Sequence, residues 1–484
     1  MKLGLLLDNE TTLRNAAGRD PEIAGLTADS RAVAAGFLFA ALPGAKHDGR
    51  AYVGEALRRG AAAILAGPGL DLPAGVPYVE AANPRRAFAR AAARFAGSQP
   101  RTVVAVTGTS GKTSVASFAR QIWSHAGRKA ASLGTLGLVA PHASRYGALT
   151  TADPVTLHKD LAELAAAGVD HAAIEASSHG LDQCRLDGVT LTAAAFTNLS
   201  RDHLDYHPSM EAYFAAKRRL FDTLLPQGAV AVLNADVPEY EALRAVCLAR
   251  RQRVIAYGRA GADIRLVSAT PVPQGQDIEI AAFGGARRIT LPLAGSFQTM
   301  NVLAAIGLTV GTGLSPHAAL DALTALEGVP GRLQLAGVKD NGACVYVDYA
   351  HKPDALATVL KALKPHVEGK LAVVFGCGGD RDAGKRPIMG RIAAELADRV
   401  VVTDDNPRSE DPAAIRAAVL AAAPGAREIG SREDAIRIAV GELEAGDVLV
   451  IAGKGHEQGQ IVGTTVLPFD DLDQARRALA GGDA

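Results

Sequence analysis

Short apolar runs separated by stretches of helical periodicity recur along the whole chain, and they fall into three blocks. In the first block, residues 1 to about 98, Phe37-Leu38-Phe39-Ala40, Ala62-Ala63-Ile64-Leu65 and Tyr78-Val79 read as short strands. Helical patterns lie at about 50–59 and 83–96, and Ser98-Gln99-Pro100 reads as a linker. The second block opens on the apolar run Val103 to Val106. Further runs follow at His171-Ala172-Ala173-Ile174-Glu175, Ala193-Ala194-Ala195-Phe196-Thr197 and Ala229-Val230-Ala231-Val232-Leu233. Helical stretches separate them, so the pattern is βα and the sheet mainly parallel. Residues 265–292 alternate apolar and polar positions around turn glycines, which predicts an antiparallel appendage, and 298–327 reads as helical. A third block begins near Val329-Pro330-Gly331. Its runs are Cys344-Val345-Tyr346-Val347-Asp348, Leu371-Ala372-Val373-Val374-Phe375, Val400-Val401-Val402 and Val448-Leu449-Val450-Ile451. With helices between them, they predict a second doubly wound α/β unit. The domain division expected is 1–98, 99–329 and 330–484.

Composition narrows this picture. A chain of 484 residues exceeds a single ordinary core, and 48% hydrophobic with 21% charged residues is a globular balance. Fifty-one basic residues offset fifty-one acidic ones, so no long nucleic-acid surface is expected. The four cysteines, Cys184, Cys247, Cys344 and Cys377, are too scattered for a disulfide framework or a metal pair. The apolar start of the N-terminus meets acidic residues at once, and no long uncharged segment follows. A cytoplasmic protein without stable membrane insertion is expected.

The chemistry starts at Val106-Thr107-Gly108-Thr109-Ser110-Gly111-Lys112-Thr113. A strand leads into it and a helical pattern leaves from Ser114. Backbone N–H groups and the helix dipole can hold phosphate at such a turn. Lys112 adds a mobile positive charge and the Thr113 hydroxyl can meet Mg²⁺. The loop is a compact G-x-x-G-K-T: the first glycine of the longer G-x-x-x-x-G-K-T would fall on Val106. Glu175 ends an apolar strand in the same block, where a carboxylate can hold Mg²⁺ against nucleotide phosphates. The next strand runs into Asn198-Leu199-Ser200-Arg201-Asp202-His203-Leu204-Asp205, and there His203 is a candidate second ligand or water-organising group. Lys217 has apolar flanks that pull it inward. A buried ammonium is costly, and a neutral lysine amine can take up CO₂ as a carbamate able to face Mg²⁺. Taken on its sequence alone, however, Lys217 reads as an ordinary surface lysine. In the third block, polar loops follow four strands: Asp348 to Pro353, Gly376 to Asp382, Asp404 to Arg408 and Gly453 to Glu457. On a parallel sheet they would converge at one edge. Their arginines offer forks for carboxylates, and Glu457 could meet an amine.

In order along the chain, Thr107 to Thr113, Glu175-Ala176-Ser177-Ser178-His179-Gly180-Leu181, Thr197 to His207, Lys217, Gly331-Arg332-Leu333, Asp348-Tyr349-Ala350-His351 with Pro353, and Asp405-Asn406-Pro407-Arg408 resemble the Mur ligases. The likeness is to the branch that adds the third residue of the peptidoglycan stem peptide, and it spans essentially the whole chain. It implies a three-domain α/β architecture with a central P-loop ATPase-like parallel-sheet domain and a C-terminal Rossmann-like domain. It further implies UDP-sugar binding in the first domain, ATP and Mg²⁺ in the central one and the incoming amino acid in the last.

Carried over residue by residue, Ser30 matches a contact to the UDP part. Thr150, Thr151, Ser177, Gln183 and Arg185 match contacts to the muramoyl-peptide. Gly108, Thr109, Ser110, Gly111, Lys112 and Thr113 match the phosphate loop. Thr113, Glu175 and His203 match metal positions, and Lys217 the family's carbamylated lysine, all beside the chemistry. Asn301 and Arg332 match nucleotide contacts, and Asp348 an acidic residue at the interdomain nucleotide site. Arg381, Asp405, Asn406, Pro407, Arg408, Gly453 and Glu457 match the amino-acid pocket in its diaminopimelate-type form. One mild departure is Ala176, where the family has a larger apolar residue after the glutamate. The implied reaction is ATP-dependent amide ligation on UDP-MurNAc-L-Ala-D-Glu through an acyl phosphate, with meso-diaminopimelate as the amine and closure of the third block keeping water out. A monomer is expected. The alternatives are L-lysine at the same step, a folylpolyglutamate synthetase-like ligase, and a P-loop regulatory protein that hydrolyses nucleotide to switch shape.

Overall fold

Strands too short and too apolar to face water need covering on both sides, and the fold supplies that twice over. The computed structural model describes residues 1–15, 18–44, 48–141, 143–147 and 149–481. Contacts divide the chain into two units: Met1–Tyr257 with Ala304–Ser315, and Gly258–Leu303 with Pro316–Ala484.

The first unit carries two sheets. The smaller has five strands in the order Thr11–Arg14, Tyr78–Ala81, Ala63–Ala66, Phe37–Ala40, Gly25–Thr27. Only its first pair is antiparallel. The helix Pro84–Ala96 packs beside it. It starts on Asn83, whose side chain accepts from the Arg86 N–H, and stops on Gly97 at φ 82°, a left-handed C-terminal residue that costs glycine nothing. In the larger sheet, Arg253–Gly258, Val230–Asn234, Ala193–Phe196, Thr102–Thr107, His171–Glu175 and Ala130–Gly134 lie side by side and parallel. Gly137–Ala140 and Ala143–Arg145 extend it antiparallel. Val103, Ala105, Ile174, Phe196 and Leu233 share one buried layer. Asp187, buried, receives Arg219 at 2.6 and 2.8 Å and Arg86 at 3.1 Å, which pins the Pro84–Ala96 helix to the larger sheet's helices.

The second unit contains the antiparallel meander Ile264–Val272, Gly275–Ala282, Gly285–Leu291, as the alternation predicts. Its main sheet runs Gln334–Val338, Cys344–Asp348, Val448–Ala452, Leu371–Phe375, Arg399–Val402, Arg427–Glu428. All pairs but the first are parallel. The four expected polar loops therefore leave the same edge. A small hairpin, Gly459–Val462 with Thr465–Pro468, follows the last of them.

Several elements depart from the sequence expectation. The helix after the phosphate loop begins at Lys112, not Ser114. The strands Ala130–Gly134 and Gly137–Ala140 escape the apolar-run criterion, because Ala-Ala-Ser-Leu-Gly lacks β-branched and aromatic residues and becomes strand through its neighbours. The helix Met210–Arg219 continues into a single π turn, Leu220–Leu224, a distortion found often at functional sites. All four cysteines are free and buried. Among the described residues no helix is long and apolar enough to cross a membrane.

Candidate functional site

The phosphate loop is built by close packing of its own backbone. Thr102–Thr107 delivers it, Gly108 stands at φ 148° and Gly111 at φ 87°. A Cβ on Gly108 would overlap the Thr197 hydroxyl, so only glycine fits there. The following strand's exit clasps the loop. Thr197 Oγ1 donates to the Ser110 carbonyl at 2.6 Å, and the Asn198 side chain accepts from the Ser110 N–H at 3.0 Å. The Asn198 carbonyl accepts from the Thr109 N–H at 2.9 Å. Lys112 Nζ folds over the loop, donating to the carbonyls of Gly108 and Thr109 at 2.9 Å each. The helix starting at Lys112 aims first-turn N–H groups, which have no acceptor within the helix, at the space a phosphate would take.

Glu175 is 2% exposed at the end of its strand. Oε2 accepts from the Thr113 hydroxyl at 2.9 Å and Oε1 from the Thr135 N–H at 2.7 Å. A hydroxyl and a carboxylate in contact, both oxygen donors, suit Mg²⁺, which takes one or two protein oxygens and fills its octahedron with water and phosphate. Among the described residues no group of three or more His, Cys, Asp and Glu is poised around a metal. The same strand end gathers the residues matched to the muramoyl-peptide. Thr151 Oγ1 donates to the Glu175 carbonyl at 2.7 Å and lies 3.0 Å from the Ser177 hydroxyl. Arg185 donates to the Thr151 carbonyl at 2.7 Å and to Gln183 Oε1 at 2.7 and 3.2 Å. Thr150 reaches Thr135 at 3.1 Å. Five residues scattered between positions 150 and 185 thus form one polar wall. Ser30 is not hydrogen-bonded to that wall among the described residues. It is buried and donates to Glu55 Oε2 at 3.0 Å.

Lys217 corrects the sequence expectation. It is 1% exposed, not a surface lysine. Its Nζ donates to the Gly108 carbonyl at 2.7 Å and stands 4.3 Å from the Tyr213 ring centre. Burial, and then the Lys112 charge, draws its amine down to about 6. The Tyr213 hydroxyl in turn lies 3.2 Å from Thr109 Oγ1. His203, at φ 54°, belongs to a ring cluster: 4.9 Å from His179, which is 4.1 Å from Tyr206, while His207 is 5.2 Å from Tyr213. Burial, and then the His203 charge, lowers the His179 pKa. Sequence reasoning named His203 alone. The His179, Tyr206, His207 and Tyr213 rings lie at positions it did quote or pass, but only the folded loop shows their stacking.

In the second unit, Asn301 donates to Gln298 Oε1 at 3.0 Å, and Gln298 to the Arg332 carbonyl at 3.0 Å. Arg332 lies over the Tyr349 ring at 5.2 Å. Asp348 accepts the Leu333 N–H at 2.7 Å and the Ala350 N–H at 2.8 Å, and burial pushes its carboxyl up to about 6 against the nearby Arg332. The three residues matched to nucleotide contacts therefore share one connected group.

The other loops also meet. Asn406 donates to Glu457 Oε2 at 3.1 Å and accepts from Lys454 Nζ at 2.8 Å and the Ile461 N–H at 2.9 Å. Lys454 stands 3.5 Å from Asp405 and 4.0 Å from Glu457. Gly453, at φ 119°, keeps a Cβ away from Asp405. Pro407 sets the turn before Arg408, which at φ 52° donates to the Gly379 carbonyl at 2.9 Å and depresses the Glu457 pKa that burial raises. Arg381 is exposed, and its charge acts on Asp380. No hydrogen bond joins Arg381 to the Asn406–Glu457 group among the described residues. Lys454 at the centre of this group lay inside a quoted loop, yet nothing in its spacing distinguished it.

Family models fit all three blocks: the Mur ligase family catalytic domain over 22–96, the Mur ligase middle domain over 106–309 and the Mur ligase glutamate ligase domain over 331–455. The chain is 57% identical to the UDP-N-acetylmuramoyl-L-alanyl-D-glutamate--2,6-diaminopimelate ligase of Rhizobium meliloti (strain 1021), with 95% of each chain covered. It is also 57% identical to the ligase of that name from Caulobacter vibrioides, covering 96% of this chain and 97% of the other. A solved structure of a ligase with the same name superposes with a TM-score of 0.73 at 34% identity, covering 95% of both chains. Matches of this identity over nearly the full length, laid on a clasped phosphate loop and four convergent loops, place the chain in the Mur ligase family.

Proposed function

We propose that the chain ligates diaminopimelate to the D-glutamate carboxylate of UDP-MurNAc-L-Ala-D-Glu, driven by ATP, in peptidoglycan precursor synthesis. The observation that carries this reading is the gathering of Arg408 and Glu457 around Asn406: its side chain donates to Glu457 Oε2 at 3.1 Å, and its carbonyl accepts from Arg408 at 3.5 Å. A guanidinium fork suits a carboxylate and a carboxylate suits an ammonium. Diaminopimelate ends in that zwitterion, whereas L-lysine ends in an ammonium alone. Relatives bearing the diaminopimelate name at 57% identity support the same choice.

A carboxylate is a poor acyl donor until phosphorylation gives it a leaving group, and the first step brings like charges together. Lys112 can swing from its loop carbonyls to the phosphates and offset that repulsion. Thr113 and Glu175, with His203 as a further ligand, would hold Mg²⁺, which supplies charge neutralisation at the phosphates when bound. Lys217, buried and shifted toward the neutral amine, is suited to add CO₂ with loss of one proton. The resulting carbamate would set an anion beside Lys112, able to face the metal. The Thr150, Thr151, Ser177, Gln183 and Arg185 wall orients the muramoyl-peptide carboxylate. Ser30 meets the UDP end, and Asn301, Arg332 and Asp348 meet the nucleotide. On this reading residues 1–98 serve the UDP sugar, 99–329 ATP and 330–484 the amino acid, in a cytoplasmic monomer.

Phosphate release from ATP tests the reaction class. It should require both the UDP-muramoyl dipeptide and diaminopimelate. Turnover with neither would instead indicate a nucleotide-driven switch, and turnover with a folate and glutamate a folylpolyglutamate synthetase-like enzyme.

A further inference from the structure

Lys454 has 0% exposure, yet its ammonium is not used by any step above. It stands where three segments meet. Nζ donates to Asn406 Oδ1 and to the Gly459 carbonyl, both at 2.8 Å, with Asp405 Oδ1 at 3.5 Å and Glu457 Oε2 at 4.0 Å. A lysine has three donors and no acceptor. By taking Asn406 Oδ1, it forces the amide nitrogen of Asn406 the other way, toward Glu457. Without that donor only the Ile461 N–H would hold Asn406 Oδ1, and the amide would be less firmly kept from turning its oxygen to the Glu457 carboxylate. The Gly459 bond and the Ile461 N–H to Asn406 bond tie the Gly459–Val462 strand to the same side chain.

From this geometry we infer that Lys454 is a positioning residue for the amino-acid pocket: it fixes the Asn406 amide and balances Asp405 and Glu457, so that Glu457 is presented to the distal ammonium of the incoming amino acid. Asp405, lying beyond Lys454, would otherwise add its negative charge to that of Glu457. Burial already costs the ionised Glu457 carboxylate, and Asp405 adds to the penalty, while Lys454 and Arg408 oppose it. The other charged or titratable groups facing Glu457 are Tyr349 and Arg432. Lys454 is the cation among these that also controls an amide. The inference rests on the diaminopimelate reading only for the identity of the amine.

Steady-state ligation with Lys454→Met and Lys454→Gln tests it. In Lys454→Met the KM for diaminopimelate should rise about tenfold or more, with the KM values for ATP and the UDP substrate within about twofold of the parent enzyme's. The acid limb of kcat/KM for diaminopimelate should move to higher pH, because Glu457 becomes harder to ionise. Lys454→Gln retains an N–H donor for Asn406 Oδ1, so it should restore much of the KM while leaving the pH limb displaced. It also serves if the methionine variant fails to fold. An unchanged diaminopimelate KM and pH limb in a folded variant overturns the inference, as does an equal rise in all three KM values. Neither result touches the diaminopimelate reading, which fails separately if the unmutated protein uses L-lysine equally well.

Discussion

Two lysine amines, Lys112 and Lys217, share the carbonyl of Gly108, at 2.9 and 2.7 Å. Burial, and then the charge of Lys112, draws the Lys217 amine down to about 6 from 10.5. The sign of the consequence is definite. Between those two values the unfolded chain holds the proton and the folded chain does not, so stability rises with pH across that window and falls as pH drops through it. In CO₂-free buffer, Lys217→Met should flatten this dependence and raise stability at neutral pH, on the order of 1 kcal/mol or more, while ligation is lost. Denaturant titrations of both proteins at several pH values check this. Equal slopes in parent and variant would show that Lys217 is not buried as the ammonium-poor form. At the other end of the chemistry, Arg408→Ala removes a charged fork worth about 1.5–3 kcal/mol, so the diaminopimelate KM should rise roughly 10–100-fold with little change for ATP. Initial rates at varied diaminopimelate and varied ATP separate these.

The elements explain why such charges can be held. The Ala193–Phe196 strand runs straight into Thr197 and Asn198, which clasp the phosphate loop through its backbone, leaving no space for a side chain at Gly108. Gly108→Ala, at φ 148°, should therefore displace the clasp, destabilise by about 1–3 kcal/mol and abolish measurable nucleotide binding in calorimetry. Nucleotide affinity within twofold of the parent's would refute the clasp. This level also shows what was legible in the chain. Strong apolar runs such as Val103 to Val106 and Leu371 to Phe375 announce themselves, because strands covered on both faces need no alternation. Their ends locate Glu175 at the carboxyl edge of the first unit's larger sheet, and Asp348 with the other third-block loops at the carboxyl edge of the second unit's main sheet. Ala130–Gly134 does not announce itself, since alanine, serine and glycine carry no strand preference of their own. Lys217 was misjudged for a related reason: its burial depends on the loop it packs under, here Gly108, which lies near it only in the fold, while Tyr213 covers it from one turn back on its own helix. Lys454 and the His179–Tyr213 rings were likewise readable as residues but not as partners.

At the scale of the molecule, the proposed function has three blocks divide the substrates by chemistry. On that reading the central block's groups meet phosphate and the muramoyl-peptide, and the last block's an amino acid. Both are needed before ATP is consumed usefully. On the proposed function, the Asp405–Arg408 and Gly453–Glu457 loops choose the amino acid by its distal end. Lysine at that pocket leaves Arg408 without its carboxylate, a cost of about 1.5–3 kcal/mol for a charged group. The most direct measurement is steady-state ligation with each amino acid in turn on UDP-MurNAc-L-Ala-D-Glu. The account predicts kcat/KM for meso-diaminopimelate at least about tenfold above that for L-lysine, with the gap collapsing in Arg408→Ala. Equal or better use of L-lysine by the unmutated protein would contradict it.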